Sequence, residues 1–368
     1  MNNMKTLLQI YNDISENKNL YDYYGSNLIL EDAWINVDRA HSFIHQYFQN
    51  GEKAIFGLKI CRDMYQPDIR DIHTVSVFIL GIEIARKMKN RILGNELFIW
   101  FLMCLYHDMG YKLENKTDLV KEYYTLDEFL VKNDIQGDNN IFGVYDKKQL
   151  CMNYYNYRVR KHVKIDHGIA GGIILYNVLV KNYYMVKNHS GSNKDSFEYR
   201  NCMFSKDNFE DYAKAAIGII RHNMWYANKS DDCKTYHKYG LDDLISEPQN
   251  KICYTDDRLL FLLCLADTIE PLKRFRNLGT NEEINEILRQ ICMDIENINN
   301  QKNSKITITI QVSDELENKD KLIENCRSLD SWMNVKTTQE DNKVKITFSF
   351  QNKSIDDLKL KISERAVR

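Results

Sequence analysis

Proline and glycine are scarce in this 368-residue chain, with three and fifteen respectively. That excludes collagen-like, Pro-rich and turn-dense β architectures and favours long helices. None of the nine cysteines (Cys61, Cys104, Cys151, Cys202, Cys233, Cys253, Cys264, Cys292 and Cys326) forms a CxxC pair, so the sequence spells neither a zinc ribbon nor a dithiol redox motif. No sign of charge dominates: the net charge is −2 and the pI is near 6.5, so the chain as a whole is not built for a polyanion, and nucleic acid is not an indicated partner. Long apolar runs are also missing. The most apolar stretch, Leu97 to Tyr106, is about half of what a bilayer span needs and reads as a buried helix. With no leader-like segment and scattered cysteines, the expectation is a cytoplasmic protein without a membrane partner.

What is present is apolar patterning at two periods. Hydrophobic residues make up 43% of the chain, enough for a sizeable core. Helix-like spacing is visible at Met4–Glu16, Val37–Gln49, Ile72–Met88, Glu96–Met109, Asn208–His222 and Asp256–Ile269. Asp166 is placed as the N-cap of a helix from His167 to about Lys181, and Pro271 is placed to end or bend the helix before it. Toward the C-terminus the period changes to two. Ile306, Ile308, Ile310 and Val312 alternate with polar residues, and so do Val344, Ile346, Phe348 and Phe350. Leu322, Ile323, Cys326 and Leu329 suggest a helix between these strands. The predicted class is therefore mainly α, a helical bundle with a small C-terminal α+β appendage. Its predicted divisions are a helical extension over 1–66, a core over 67–300 and the appendage over 301–368.

Several apolar helix faces carry polar residues. His73 lies in line with Val77, Leu80 and Ile84, and Asp108 with Leu97, Phe101, Cys104 and Leu105. His167 shares a face with Ala170, Gly171, Ile174 and Val178. His222 follows Ala215, Gly218 and Ile219, and Asp267 follows Leu260, Leu263 and Cys264. A helix that turns its apolar stripe to a core takes these groups with it. A lone buried carboxylate is costly unless it is paired or binds a cation. A shared metal is the simplest solution. The small run Ala170-Gly171-Gly172 would let a neighbouring helix approach closely. By contrast, His41 and His45 have no acidic partner of the metalloprotease kind and read as ordinary helix residues. His162, His189 and His237 read as surface residues, and the basic run Arg158, Arg160, Lys161 and Lys164 as a solvated face.

The ordered set H…HD…H…H…D, with Leu-Tyr-His-Asp-Met-Gly at its centre and Leu-Ala-Asp-x-x-Glu-Pro near its end, resembles the HD-domain metal-dependent phosphohydrolases over roughly residues 70 to 275. That resemblance implies that His73, His107, Asp108 and Asp267 hold one metal, and that Asp108, His167 and His222 hold a second. Members with fewer ligands bind one metal, so His167 and His222 together favour two. The ligand set suits two divalent transition metals, manganese, iron, cobalt, nickel or zinc, better than magnesium. A hydroxide bridging them would attack phosphorus in line. Asp108 would be the central catalytic ligand. Lys112 is a candidate leaving-group acid, although the family's HD-x-G-K pattern places its lysine one position nearer. Arg221, Lys273 and Arg274, together with Arg276, are candidate phosphate contacts, and phosphate contact is the alternative role for Arg158, Arg160, Lys161 and Lys164.

The implied activity is hydrolysis of a phosphate ester or anhydride of a small phosphorylated substrate. His222 is followed by Asn-Met-Trp-Tyr-Ala-Asn and not by the Gly-Tyr-Pro signature of the cyclic-dinucleotide phosphodiesterases of this superfamily. Ala266 to Pro271 is similar to a segment of bacterial HD hydrolases that cleave diadenosine polyphosphates, which favours a nucleotide. Two alternatives stay open at this point: an HD-type di-iron oxygenase, and a nucleotide-sensing module without turnover. The sequence also leaves open whether copies of the chain associate.

Overall fold

The computed structural model describes residues 4–16, 71–89, 92, 95–114, 116, 118–135, 140–199, 202–275, 280–299 and 303–351. The expected helix over Val37–Gln49, with His41 and His45, lies outside the described residues, as does Arg276. The described elements begin with strand β1 (Lys5–Thr6) and helix α1 (Leu7–Glu16) and continue with α2 (Asp71–Lys87), α3 (Asn95–Tyr106), α4 (Tyr111–Glu114), α5 (Leu119–Glu122), α6 (Leu126–Lys132) and α7 (Lys148–Tyr157). Helix α8 (His167–Ser190), a hairpin of β2 (Ser196–Tyr199) and β3 (Cys202–Ser205), α9 (Asn208–His222), α10 (Ser230–Tyr239), α11 (Arg258–Ile269) and α12 (Asn281–Arg289) follow. The chain then forms β4 (Ile291–Asn299), β5 (Asn303–Val312), α13 (Lys319–Ser328), β6 (Lys336–Glu340) and β7 (Lys343–Gln351). The protein is mainly α with a C-terminal α+β part, as the two apolar periods predict.

Five helices build the body. α8 packs along α9, α9 on α3 and α11, and α2 on α3 and α11. Glycine makes the closest of these approaches possible. A Cβ on Gly172 would sit 2.5 Å from the carbonyl oxygen of Ala216, and one on Gly168 would sit 2.8 Å from that of Ile219. The backbones of α8 and α9 therefore meet where any other residue would hold them apart. α8 starts at Asp166, whose carboxylate accepts the Ile169 N–H at 2.9 Å. It runs on through Ser190 and closes on Gly191 in the left-handed region, φ +66. It is thus longer than the predicted span to about Lys181. It is also long and apolar enough to cross a membrane by composition, but most of that stretch is buried inside the fold. α11 stops at Ile269, two residues before Pro271.

The second part is one antiparallel sheet of order β1-β4-β5-β7-β6. Its register places Ile308 between Ile295 and Ile346, and Ile306 opposite Phe348. These alternate residues form an inner apolar face. Phe348 and Phe350 of that face pack on Phe261 and Tyr254 at the start of α11, while α13 also packs on α11. The sheet begins at Ile291, inside the segment predicted as core, and takes its edge strand β1 from the predicted N-terminal extension. The predicted division at 300/301 thus falls between β4 and β5 of one sheet, and the one at 66/67 lies outside the described residues. Tyr11 of α1 reaches the helical body directly, its hydroxyl 2.7 Å from Ser76 Oγ on α2.

Candidate metal centre

The six predicted ligands come from the facing ends of five helical segments. His73 lies near the start of α2, His107 and Asp108 immediately follow α3, and His167 opens α8. His222 closes α9, and Asp267 sits in the last turn of α11. The imidazoles of His73, His107, His167 and His222 are all buried. Each has its Nδ1 held from outside the cluster. His107 Nδ1 donates to the Cys104 carbonyl at 2.7 Å, and His222 Nδ1 to the Ile219 carbonyl at 2.6 Å. A carbonyl only accepts, so Nδ1 carries a hydrogen in both rings, and the neutral form of either ring has its lone pair on Nε2. For His73 and His167 the acceptor is a carboxylate: Glu270 at 2.6 Å and Glu114 at 2.5 Å.

The Nε2 atoms then converge. His73 Nε2 lies 3.2 Å from His107 Nε2, 3.1 Å from Asp267 Oδ1 and 3.7 Å from Asp108 Oδ2. His107 Nε2 is 3.5 Å from Asp108 Oδ1 and 3.6 Å from Asp267 Oδ1. On the other side of Asp108, His167 Nε2 is 3.8 Å from Oδ1, and the His222 ring stands 5.3 Å from His107 and 5.4 Å from His167 between centroids. The donor atoms of His73, His107 and Asp108 fall within 4.8 Å of one another, and so do those of Asp108, His167 and His222. Ligands of one ion at about 2.1 Å stand roughly 3–4 Å apart, so this spacing fits metal coordination. Ring nitrogens and carboxylate oxygens crowd a buried centre, an arrangement that a cation can organise. These buried His/Asp groups can hold a metal ion.

Charge distributes unevenly over the cluster. Burial favours neutral His73, but the Glu270 and Asp267 carboxylates outweigh it and push the ring up to about 9. At His222 the balance is reversed: burial and the neighbouring His107 and His167 outweigh Asp267 and Asp108 and push it down to about 3. Asp108 is held below the usual carboxylate range, because His107, His73 and His167 outweigh the burial that would raise it. Asp267 is likewise held low against burial by Lys273, His107 and His73. The two carboxylates are also the open side of the centre. Asp108 and Asp267 keep 12% and 20% of their side-chain surface exposed, against 0–4% for His73, His107 and His167. A small molecule would approach across the aspartates.

The predicted supporting residues separate. Lys273 belongs to the centre, with Nζ 2.8 Å from Asp267 Oδ1. Arg274 does not face it: the guanidinium donates to the carbonyls of Thr268 and Glu270 and caps the end of α11. Arg221 stands beside His222 but is directed to Asp257, 3.6 Å away. Lys112 is exposed on α4. The same short turn sends its other face inward, where Tyr111 stacks on His167 at 3.8 Å and Glu114 binds His167 Nδ1. His162, His189 and His237 are exposed, as predicted.

Three residues of the centre escape a sequence reading. Glu270 is fully buried, receives the backbone N–H groups of Leu272 and Lys273, and is held low by His73 against its burial. Glu114 is buried too, and Arg158 Nη2 donates to it at 2.8 Å. Arg158 was expected on a solvated face, yet it is 1% exposed, with Nε 3.7 Å from Asp166. Glu270 has a visible signal, since it follows Asp267 by three positions on the same helix end. Glu114 and Arg158 have none, because their roles depend on contacts between distant segments. In comparisons with known proteins, no family model, no curated protein and no solved structure matches the chain.

Proposed function

We propose that the protein is a metal-dependent phosphohydrolase of the HD type, cleaving a phosphate ester or anhydride of a small, nucleotide-like substrate with two divalent transition metal ions. The observation that carries this reading is the orientation of four buried imidazoles. All four are fixed through Nδ1 and aim Nε2 at two partly exposed aspartates, in two trios that share Asp108. Such outer contacts set the tautomer and the direction of a metal-ligating histidine. His73, His107, Asp108 and Asp267 would hold one ion, and Asp108, His167 and His222 the other. Bound metal supplies an activated water and Lewis acidity toward a phosphoryl group.

The chain's own contribution is positioning and charge. Glu270 and Glu114 lock the outer nitrogens of His73 and His167. Lys273 brings an ammonium group to the exposed edge of Asp267, where an incoming phosphate would meet it. Together with Arg158 and Lys164, the latter 3.7 Å from Glu114, these cations offset most of the negative charge of Asp108, Asp267, Glu114 and Glu270. Two divalent ions would then leave the cluster positive and attractive to phosphate. Lys112, exposed on α4, has no part in this reading.

The test is phosphate release from a panel of nucleoside mono-, di- and polyphosphates by manganese-loaded protein. Turnover of at least one, lost on chelation and restored by manganese, supports the hydrolase. Metal-loaded protein that turns over none of them, or that consumes oxygen with iron, contradicts it.

A further inference from the structure

The segment after α7 departs from regular geometry twice. Arg158–His162 forms a π-turn, and Val163 follows in the left-handed region at φ 53. A β-branched residue is strained there, and single π-turns inside helices concentrate at functional sites. The distortion has a clear effect. It drives Arg158 into the protein and leaves Arg160, Lys161, His162, Val163 and Lys164 exposed.

Arg158 lies against the inner face of Trp225, with Cζ 3.9 Å from the ring centroid. Trp225 is nevertheless 47% exposed. Its backbone is fixed at both groups: the N–H donates to Tyr154 Oη at 2.9 Å, and the carbonyl accepts from Tyr236 Oη at 3.0 Å. The His162 ring stands edge-on to it at 5.4 Å. The fold thus orders the backbone that carries this indole, while much of the residue is left to solvent. A short chain of contacts joins it to the metal centre. Arg158 bonds Glu114, Glu114 bonds His167, and Trp225 itself follows His222 by three residues. Lys164 lies beside Glu114, and Lys161, Lys164 and Arg158 all bear electrostatically on His162. The rim around the indole is therefore cationic and aromatic, next to the His167 arm of the cluster.

We propose that the outer face of Trp225, flanked by His162 and Lys164, is a stacking platform for the aromatic base of a phosphorylated substrate whose phosphate lies at the metal centre. The inference rests on the phosphohydrolase reading and names the part of the site that selects the substrate. Stacking on an exposed aromatic residue tolerates different bases, since each has a π-face.

Calorimetric titration of manganese-loaded protein with adenosine 5′-monophosphate and with ribose 5-phosphate tests it, because the second carries a hydroxyl where the first carries the base. Wild-type protein binds the nucleotide about tenfold more tightly than the sugar phosphate. Trp225→Ala brings the nucleotide down to the affinity of the sugar phosphate, Trp225→Phe keeps most of the difference, and the sugar phosphate binds all three equally. The retained affinity for ribose 5-phosphate also shows that the variants are folded. Equal affinities in the wild type, or a difference that survives Trp225→Ala, would overturn the platform and leave the phosphohydrolase reading standing. Failure of both probes to bind would overturn the phosphate reading and the platform with it.

Discussion

The helical body and the C-terminal sheet are built by the same rule and differ in what the rule encloses. In the sheet, the buried alternate residues of β5 and β7 are Ile306, Ile308, Ile310, Val312, Val344, Ile346, Phe348 and Phe350, with Ser304 the polar residue among them. In the body, the apolar stripes of α2, α8, α9 and α11 carry His73, His167, His222 and Asp267, and behind them lie Glu114, Glu270, Asp166 and Arg158. An apolar inner face is stable by itself. A buried group of imidazoles, carboxylates and a guanidinium is not, unless every member finds a partner. The body therefore carries an electrostatic obligation that the sheet lacks, and a bound cation would meet it.

That comparison can be broken by experiment. The largest effect is expected from Asp108→Ala, which removes the one residue shared by both trios. Bound metal should be lost and phosphate release should fall by about 10³-fold or more, while circular dichroism still reports a helical protein. Full activity in that variant would sink the assignment of the centre. The counterpart in the sheet is Ile308→Ala. Deleting that fully buried side chain should lower unfolding stability by about 2–5 kcal/mol in denaturant titration, with metal content unchanged. A loss of metal there would mean that the two regions are not separable in this way. Glu114→Gln is gentler, because it keeps the shape and removes the charge that fixes His167. It should weaken metal affinity by about 10–100-fold with the fold retained, and an unaltered affinity would show that Glu114 is only packing.

The smallest effect concerns protons. In metal-free protein His73 sits at about 9 and is charged at neutral pH, whereas His222, at about 3, is not. Metal must displace the proton on His73, so affinity rises with pH until the medium passes about 9 and then levels off. Calorimetry at pH 7 in buffers of different ionisation enthalpy should report about one proton released from this source per protein. No release at pH 7 would contradict the charge state assigned to His73.

The sequence reading reaches as far as local periodicity does. α2, α3, α9 and α11 are legible because their stripes repeat at helical spacing, and β5 and β7 because theirs alternate. Five candidate ligands, His73, Asp108, His167, His222 and Asp267, are legible as polar residues on apolar stripes, and His107 only through its place beside Asp108. What fails is everything set by distance along the chain. Two-residue β1 has no pattern of its own and exists through pairing with β4. His73 meets Glu270 across 197 positions, and His167 meets Glu114 across 53, so neither contact follows from spacing, although Glu270 is marked by its place three residues after Asp267. Arg158 looks like one member of an exposed basic run, and only the π-turn that carries it turns it inward. Arg274 and Lys273 are adjacent and alike in composition, yet one caps a helix and the other reaches Asp267.

The proposed centre would hold two cations between the convergent Nε2 atoms and the aspartates. Its most direct test is the stoichiometry of manganese bound at equilibrium by the full chain, set beside His167→Ala. The account predicts two ions per chain for the wild type and one for the variant, which keeps His73, His107, Asp108 and Asp267. A wild-type chain that binds no ion, or a variant that still binds two, would contradict it.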